Sequence, residues 1–247
     1  MKSLMQFSKN NQLDNENMST SYRLYNKSIL DISNKDIANN SVDLIITDPP
    51  YFDQIAYSEY LKIWEHLTGY KSYLDKEIVV SNRKNSKKDK ENYLRMMTST
   101  FTILEKKLKQ NGKMYIFFKD TDLIKLNLFL ESVEKSGFTL IDSFHISSKK
   151  RTYKQNSSPK GSIIGETIFL FTKGLSINKK KQVVTDLNKE LYSLFDVYLK
   201  KYPTGSFSKF YSEYFALEMY NKKILSEYKN SRNVMDIILK KHTINES

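Results

Sequence analysis

The sequence predicts an α/β sheet followed by a helical C-terminal region. Two short apolar runs, Val42 to Thr47 and Lys113 to Asp120, have the composition of strands buried on both faces of a parallel sheet. Segments with helical periodicity separate the strands, and this alternation is typical of right-handed crossovers. After Gly174 only helical periodicity remains. With 247 residues, 39% of them hydrophobic, the chain suits one domain with a helical appendix.

The first part of the chain is predicted to contain two strands and one helix. Residues 1–20 are polar and aperiodic, which predicts a mobile leader. We expect a short strand from Tyr22 to Asn26 and the apolar strand from Val42 to Thr47. A helix from Ala56 to Leu67 should follow, because Tyr60, Ile63, Trp64 and Leu67 then share one side.

The middle part should add two helices and three strands. One helix has Leu94, Met97, Phe101, Leu104 and Leu108 in register and is expected to end at Asn111-Gly112. The strand from Lys113 follows, and then a second helix that Gly137 ends. The last two strands, "FTLIDSFHI" and "ETIFLFTKG", have no helix between them, so we expect an antiparallel hairpin at one edge.

The C-terminal part is predicted to hold two amphipathic helices, broken at Pro203-Thr204-Gly205, and a weaker third near "NVMDIILKKH". Two interpretations of their apolar residues are open. They pack on their own domain, or they contact a partner or DNA. The residues are Leu187, Leu191, Leu194, Phe195, Tyr198, Leu199, Phe207, Phe210, Tyr214 and Leu217.

Composition narrows the class of function. The formal net charge of +12 favours a polyanionic partner, and nucleic acid is preferred to a membrane because no apolar run is long enough to span one. The chain has no cysteine, and its three histidines are far apart, so we expect no metal site and no thiol nucleophile. No signal-peptide core is present at the N-terminus, which favours a cytoplasmic location.

The run Asp48-Pro49-Pro50-Tyr51 ends the first apolar strand with a stiff corner. Two prolines fix two φ angles and remove two N–H donors, so the strand must stop there. The corner then presents one carboxylate, one fixed carbonyl and one aromatic ring. The alternative is an ordinary strand end in which Asp48 only caps a turn.

The stretches "VDLIITDPPY", "GKMYIFF" and "ETIFLFTKG" together resemble the amino-methyltransferases of DNA, which methylate adenine N6 or cytosine N4 with S-adenosylmethionine. The run "TDPPYFDQIAYSEYLKIW" looks most like DNA methylase domains whose motif continues as Asp-Pro-Pro-Tyr-Tyr-Asp. The match covers about residues 22–174. It implies an incomplete Rossmann-like methyltransferase sheet over residues 21–174, with residues 175–247 as the separate helical region.

The resemblance also implies roles for the corner. Asp48 orients the target amine, Pro49 offers its carbonyl, Pro50 fixes the turn, and Tyr51 stacks on a base rotated out of the duplex, with Phe52 as a second stacking residue. Two acceptors about 3 Å from an exocyclic amine favour a pyramidal nitrogen and aim its lone pair. We expect adenine N6 rather than cytosine N4, because relatives whose motif opens with Asp more often act there.

The sequence lacks the glycine-rich loop with which the family binds S-adenosylmethionine. Relatives hold the methionine part of S-adenosylmethionine with a loop of closely spaced glycines after the first strand, and no two of the seven glycines here are separated by one residue. Asp48 and Ser28 are the candidate cofactor contacts that remain. Three explanations are open: a second subunit donates the glycine-rich loop and first strands, the chain is a catalytically silent DNA-binding subunit, or the sequence is a fragment. We favour the first, because the corner is intact.

Two basic loops are predicted to emerge near the corner and to bind the phosphates of DNA. The alternative for both loops is solvation without a partner, and methylation of structured RNA is a further alternative function. The predicted phosphate contacts are Arg83, Lys84, Lys87, Lys88, Lys149, Lys150, Arg151 and Lys154.

Overall fold

A computed structural model describes residues 22–53, 57–69, 74–81, 87–147, 163–174, 186–227 and 233–239. The predicted mobile leader lies outside these residues, and so do most of the two basic loops. Among the described helices, none is both long and apolar enough to cross a membrane.

The centre of the structure is a four-stranded mixed sheet with the order β1-β2-β4-β3. Its strands are β1 (Val42–Thr47), β2 (Leu108–Phe118), β3 (Phe138–Ile146) and β4 (Glu166–Lys173). β1 runs parallel to β2, whereas β4 is antiparallel to both β2 and β3. The predicted α/β class is therefore confirmed, and the last two strands form the expected antiparallel pair at one edge.

Two helices pack on one face of the sheet. They are α2 (Lys90–Lys107) and α3 (Leu123–Glu134), and the earlier helix α1 (Tyr57–Thr68) follows the diproline corner. The Phe118 ring of β2 stacks on Phe129 of α3, with ring centroids 4.7 Å apart, and Phe129 in turn meets Phe101 of α2. These rings are buried, so this face of the sheet carries the core.

The C-terminal region is helical as predicted. It contains α4 (Leu187–Lys201), then α5 (Phe207–Lys209), a π-helical turn (Phe210–Phe215) and α6 (Ala216–Lys222) in continuous succession, and finally α7 (Val234–Leu239). The ten apolar residues predicted on these helices lie in the core or pack against it. They therefore serve packing on their own chain, which was one of the two interpretations.

Three predictions about elements are wrong. Tyr22 to Asn26 is not a strand, because these residues pair with none of the described strands and their side chains are exposed. The helix predicted to end at Asn111-Gly112 ends at Lys107, because Leu108 already pairs with Val42 at the start of β2. β1 is not buried on both faces, since Ile46 is 64% exposed in this chain.

Candidate active site

The diproline corner stands at the carboxyl end of β1, which is the edge where parallel sheets present their ligand-binding residues. Asp48 is exposed there, whereas Pro49 is buried. The strand stops because neither proline has an N–H to continue the ladder. A carboxylate that is open to solvent is thus attached to a turn that the core holds.

The Tyr51 hydroxyl lies between two acceptors. It contacts the Asp48 carboxylate and the Phe117 carbonyl of β2, the latter at 2.9 Å. Its ring meets Phe118 edge to face, with centroids 5.8 Å apart. Burial, and then the charge and hydrogen bond of Asp48, raise the pKa of Tyr51 well above its ordinary value. The hydroxyl therefore keeps its proton at neutral pH and fixes the Asp48 side chain.

Tyr93 of α2 stabilises the corner by a hydrogen bond and a ring contact. Its buried hydroxyl donates to the Pro50 carbonyl at 2.6 Å, and burial raises the pKa of Tyr93 to about 12. Its ring packs on Phe52 with centroids 4.5 Å apart. Phe52 has a φ of 44°, a left-handed conformation that is costly for a bulky residue and is stabilised here by the hydrogen bond from Val80 N to the Phe52 carbonyl. The chain is thereby forced to turn sharply after Tyr51.

Lys125 at the start of α3 joins two carboxylates beside the corner. It lies 2.8 Å from Asp53 and 3.4 Å from Asp120, and its ammonium stands over the Phe52 ring at 5.8 Å. The hydrogen bond from Lys125 lowers the pKa of Asp53. Burial lowers the pKa of Lys125, but the two carboxylates outweigh it and leave that pKa raised.

A largely apolar cleft of about 220 Å³ opens beside Phe52 and Lys125. It lies between the corner and the first turns of α2 and α3. It is lined by Phe52, Asp53, Val80, Lys90, Asp122, Ile124 and Lys125.

The structure brings only part of the predicted site together. Asp48, Pro49, Pro50 and Tyr51 form one corner, but Phe52 is only 4% exposed and stacks on Tyr93. Because so little of Phe52 is exposed, stacking on a base is proposed below for Tyr51 alone.

Ser28 lies apart from the corner. It caps a 3-10 turn (Ile29–Asp31), and its hydroxyl accepts from the Leu30 N–H at 3.3 Å. This turn packs on α2, and no described contact joins Ser28 to Asp48. A cofactor contact of Ser28 stays a prediction.

Two of the eight predicted phosphate contacts are described. Lys87 is exposed, and Lys88 forms an ion pair with Glu77 at 2.5 Å. The other six, Arg83, Lys84, Lys149, Lys150, Arg151 and Lys154, lie outside the described residues. Within the described residues, no cluster of three or more potential metal ligands is present.

Sequence reasoning missed Tyr93, Asp120 and Lys125 around the corner. The position of Asp120 could have been predicted, because it lies just after β2, as Asp48 lies just after β1. The carboxyl ends of neighbouring parallel strands lie at the same edge of a sheet, which places the two residues at one edge. Tyr93 had a weaker signal, since it lies four residues before Met97 on the buried side of α2. Nothing in the sequence paired Lys125 with Asp53, which is 72 residues earlier.

The fold and the corner define a class of protein: an α/β protein that presents an Asp-Pro-Pro-Tyr corner at the carboxyl end of a parallel strand, as the amino-methyltransferases do. A family model described as DNA methylase, for N6 and N4 methyltransferases, matches residues 42–244. The chain belongs to this DNA methylase family.

The chain is also similar to individual proteins. It is 32% identical over 111 residues to the type II methyltransferase M.MjaII of Methanocaldococcus jannaschii, a match that covers 43% of this chain and 19% of that protein. Among solved structures, the cytosine-N4-specific PvuII DNA methyltransferase has 14% identity and a TM-score of 0.37, over 66% of this chain and 58% of that one. The M1.HpyAVI–SAM complex has 13% identity and a TM-score of 0.31, over 66% of each chain. The chain thus spans about a fifth of the curated relative that it matches.

Proposed function

We propose that this chain is the base-binding, catalytic subunit of a DNA amino-methyltransferase that uses S-adenosylmethionine and acts on adenine N6 in preference to cytosine N4. The observation that carries the proposal is an exposed Asp48 carboxylate on a corner that Tyr51 and Tyr93 hold by hydrogen bonds. Membership of the DNA methylase family supports it. A DNA substrate also agrees with the predicted cytoplasmic location.

The corner acts by orienting the target amine. Its nitrogen is a poor nucleophile because the lone pair is delocalised into the base. Asp48 and the Pro49 carbonyl accept hydrogen bonds from its two N–H groups. These contacts favour a pyramidal nitrogen, whose lone pair points out of the plane of the base instead of being delocalised into it. Tyr51 offers its ring to the extruded base. The nitrogen gains a methyl group and loses one proton, which Asp48 is placed to pass to water.

The described residues do not provide a cradle for the methyl donor. Their glycines, at 69, 112, 137, 165, 174 and 205, are isolated from one another in the sequence, so no loop lets the backbone approach a ligand closely at successive residues. S-adenosylmethionine, when bound, supplies a methyl group on a sulfonium sulfur that leaves as a neutral thioether. We therefore propose that a second subunit with a glycine-rich loop holds the donor beside Asp48.

Labelled methyl transfer tests the proposal. The chain is purified with its native complex and incubated with labelled S-adenosylmethionine and either DNA or structured RNA. We expect label in DNA, as N6-methyladenine in digested nucleosides, and at least a hundredfold loss in Asp48→Ala with DNA affinity retained. Full activity of the Asp48→Ala complex would indicate a silent DNA-binding subunit, and label in RNA alone would indicate an RNA methyltransferase.

The basic loops are proposed to bind the DNA backbone. Each phosphate contact contributes roughly 0.9 to the slope of log affinity against log salt concentration. Replacing Arg83, Lys84, Lys149 and Lys150 with Gln should therefore reduce this slope by about 2 to 4. Lys189 of α4 and Lys135, which directly follows α3, are both exposed and serve as controls. An unchanged slope in the loop variant would exclude these residues as phosphate contacts.

A further inference from the structure

One lysine links the two chain segments that leave the carboxyl ends of β1 and β2. Lys125 lies in the first turn of α3, and its ammonium is 2.8 Å from Asp53 and 3.4 Å from Asp120. Asp53 lies two residues after Tyr51, and Asp120 lies two residues after Phe118, the last residue of β2. Since β1 and β2 are parallel neighbours, both carboxylates lie at the edge of the sheet that carries the corner. Lys125 therefore fixes the two segments relative to each other.

The backbone between Tyr51 and Asp53 is strained. Phe52 has a φ of 44°, which is a costly conformation for a bulky residue and persists only where the surroundings hold it. A return to an ordinary φ would change the angle between the peptide units on either side of Phe52. One of these units begins at Tyr51, whose hydroxyl contacts the Asp48 carboxylate. Relaxation at Phe52 would therefore displace the corner.

Contacts from three elements hold Phe52 in this conformation. The Val80 N–H donates to the Phe52 carbonyl at 2.9 Å, and the Tyr93 ring packs on the Phe52 ring. The Lys125 ammonium is 5.8 Å from the centre of the same ring and also binds the next residue, Asp53. Of these three residues, Lys125 is the one that also sets the direction in which the chain leaves the corner.

The ion pair between Lys125 and Asp53 suits a local role better than a global one. The two side chains are 29% and 41% exposed, and ion pairs with this exposure contribute little to the free energy of unfolding. A local effect on a reaction is different in size, because a shift of a reacting group by about 1 Å lowers a rate about a hundredfold. The pair thus has more influence on the position of the corner than on the stability of the fold.

A second ion pair at the opposite end of the same two strands provides a comparison. Lys109, near the start of β2, is 2.6 Å from Asp43, near the start of β1. Both of these side chains are more exposed than those of the first pair. Because the pair lies at the amino ends of the strands, it has no contact with the corner. Its removal therefore measures the effect of losing an ion pair from β1 and β2 alone.

We propose that Lys125 is a positioning residue for methyl transfer, which acts through Asp53 and Phe52 to hold the corner, Asp48 to Tyr51, in its reactive orientation. This inference rests on the proposed function and adds to it a residue outside the corner that controls the rate. A displaced acceptor no longer directs the lone pair of the target amine, so the loss of Lys125 lowers kcat. KM for DNA stays the same, because the proposed phosphate contacts lie on other segments.

Steady-state methylation by the native complex tests the inference. Lys125→Met keeps the apolar stem of the side chain and removes its charge, and Lys109→Met is the control. We expect kcat to fall at least tenfold in Lys125→Met, with KM for DNA within twofold of wild type and the urea midpoint of unfolding unchanged. Lys125→Arg, which keeps the charge, should recover most of the rate. A kcat of Lys125→Met equal to that of the control, or a raised KM without a lower kcat, would overturn the inference.

A double-mutant cycle identifies the route and separates this inference from the proposed function. Asp53→Asn should lower kcat about as much as Lys125→Met, and the double variant should be little slower than either, because both changes break one ion pair. Losses that multiply in the double variant would contradict a route through Asp53. A wild-type complex without methyl transfer would contradict the proposed function and this inference with it, whereas an active wild type with an unaffected Lys125→Met would contradict the inference alone.

Discussion

At the scale of single residues, the Tyr51 hydroxyl holds the Asp48 carboxylate in position by a hydrogen bond. Tyr51→Phe keeps the ring but removes the donor that lies between Asp48 and the Phe117 carbonyl. A hydrogen bond to a charged group contributes about 1.5–3 kcal/mol, so we expect kcat for methylation to fall roughly 10- to 100-fold with KM for DNA nearly unchanged.

Tyr51→Ala separates the two roles of this side chain. It also removes the ring, and base stacking contributes about 1–3 kcal/mol, so KM for DNA should rise as well. Steady-state methylation assays on both variants measure these effects. Equal kinetics for Tyr51→Phe and wild type would show that the hydroxyl does not position Asp48.

Tyr93 supports the corner from the core. Tyr93→Phe removes the buried donor to the Pro50 carbonyl and should lower the free energy of unfolding by about 1–2 kcal/mol. Tyr25→Phe is the matched control, because its hydroxyl also donates to a backbone carbonyl, that of Asp36 at 2.7 Å, but at an exposed position. Urea unfolding monitored by circular dichroism measures both. An equal loss in the two variants would mean that Tyr93 has no special part in holding the corner.

The residues of the corner could be predicted from the sequence, but the residues that hold it could not. Asp48 to Tyr51 are contiguous, and two prolines restrict the backbone whatever surrounds them. Tyr93, in contrast, reaches the corner across 43 residues of sequence, and its contact depends on how α2 packs. The burial of Phe52 was also missed, because it depends on a left-handed backbone conformation that no local sequence pattern indicated.

At the scale of elements, the junction between β3 and β4 depends on Gly165. This residue has a φ of 97°, and a Cβ there would meet the Ile146 carbonyl oxygen at 2.0 Å. Gly69 after α1 also has a positive φ, but a Cβ there meets nothing within 4 Å. Gly69→Ala should therefore cost only the conformational penalty of about 1–2 kcal/mol.

Gly165→Ala should cost clearly more, because the backbone of β3 must also move. The free energies of unfolding of both variants, measured in urea, give the comparison. A loss in Gly165→Ala no larger than in Gly69→Ala would show that the junction relaxes without strain.

Strand positions followed from apolar runs, whereas strand environments did not. β3 and β4 lie where the sequence places them, because a run of branched and aromatic residues suits a strand in any sheet. β2 contains the predicted run but begins at Leu108 rather than at Lys113. Leu44 and Ile46 are exposed, although the apolar run predicted a strand buried on both faces. An apolar run indicates that a strand suits a buried position, but it does not show which residues cover the strand. The end of α2 was misplaced because pairing of Leu108 with Val42 outweighed the turn signal at Gly112.

At the scale of the whole molecule, the aromatic core makes folding sensitive to alkaline pH. Burial raises the pKa of Tyr93, Tyr198 and Tyr220 to about 12, and it raises the pKa of Tyr211 well above its ordinary value of 10.0. The folded state thus holds these protons more tightly than the unfolded state does. Their contribution to stability is complete below pH 10 and is lost as the pH rises through about 12.

We therefore expect the free energy of unfolding to fall steadily between pH 10 and about pH 12. Tyr93→Phe should fall less steeply than wild type, because one of the protons that distinguish the two states is gone. The difference between the two slopes isolates the tyrosine from the many lysines, which are common to both proteins. Urea unfolding at a series of pH values gives the slopes. Parallel slopes would show that the Tyr93 hydroxyl is not held protonated by the core.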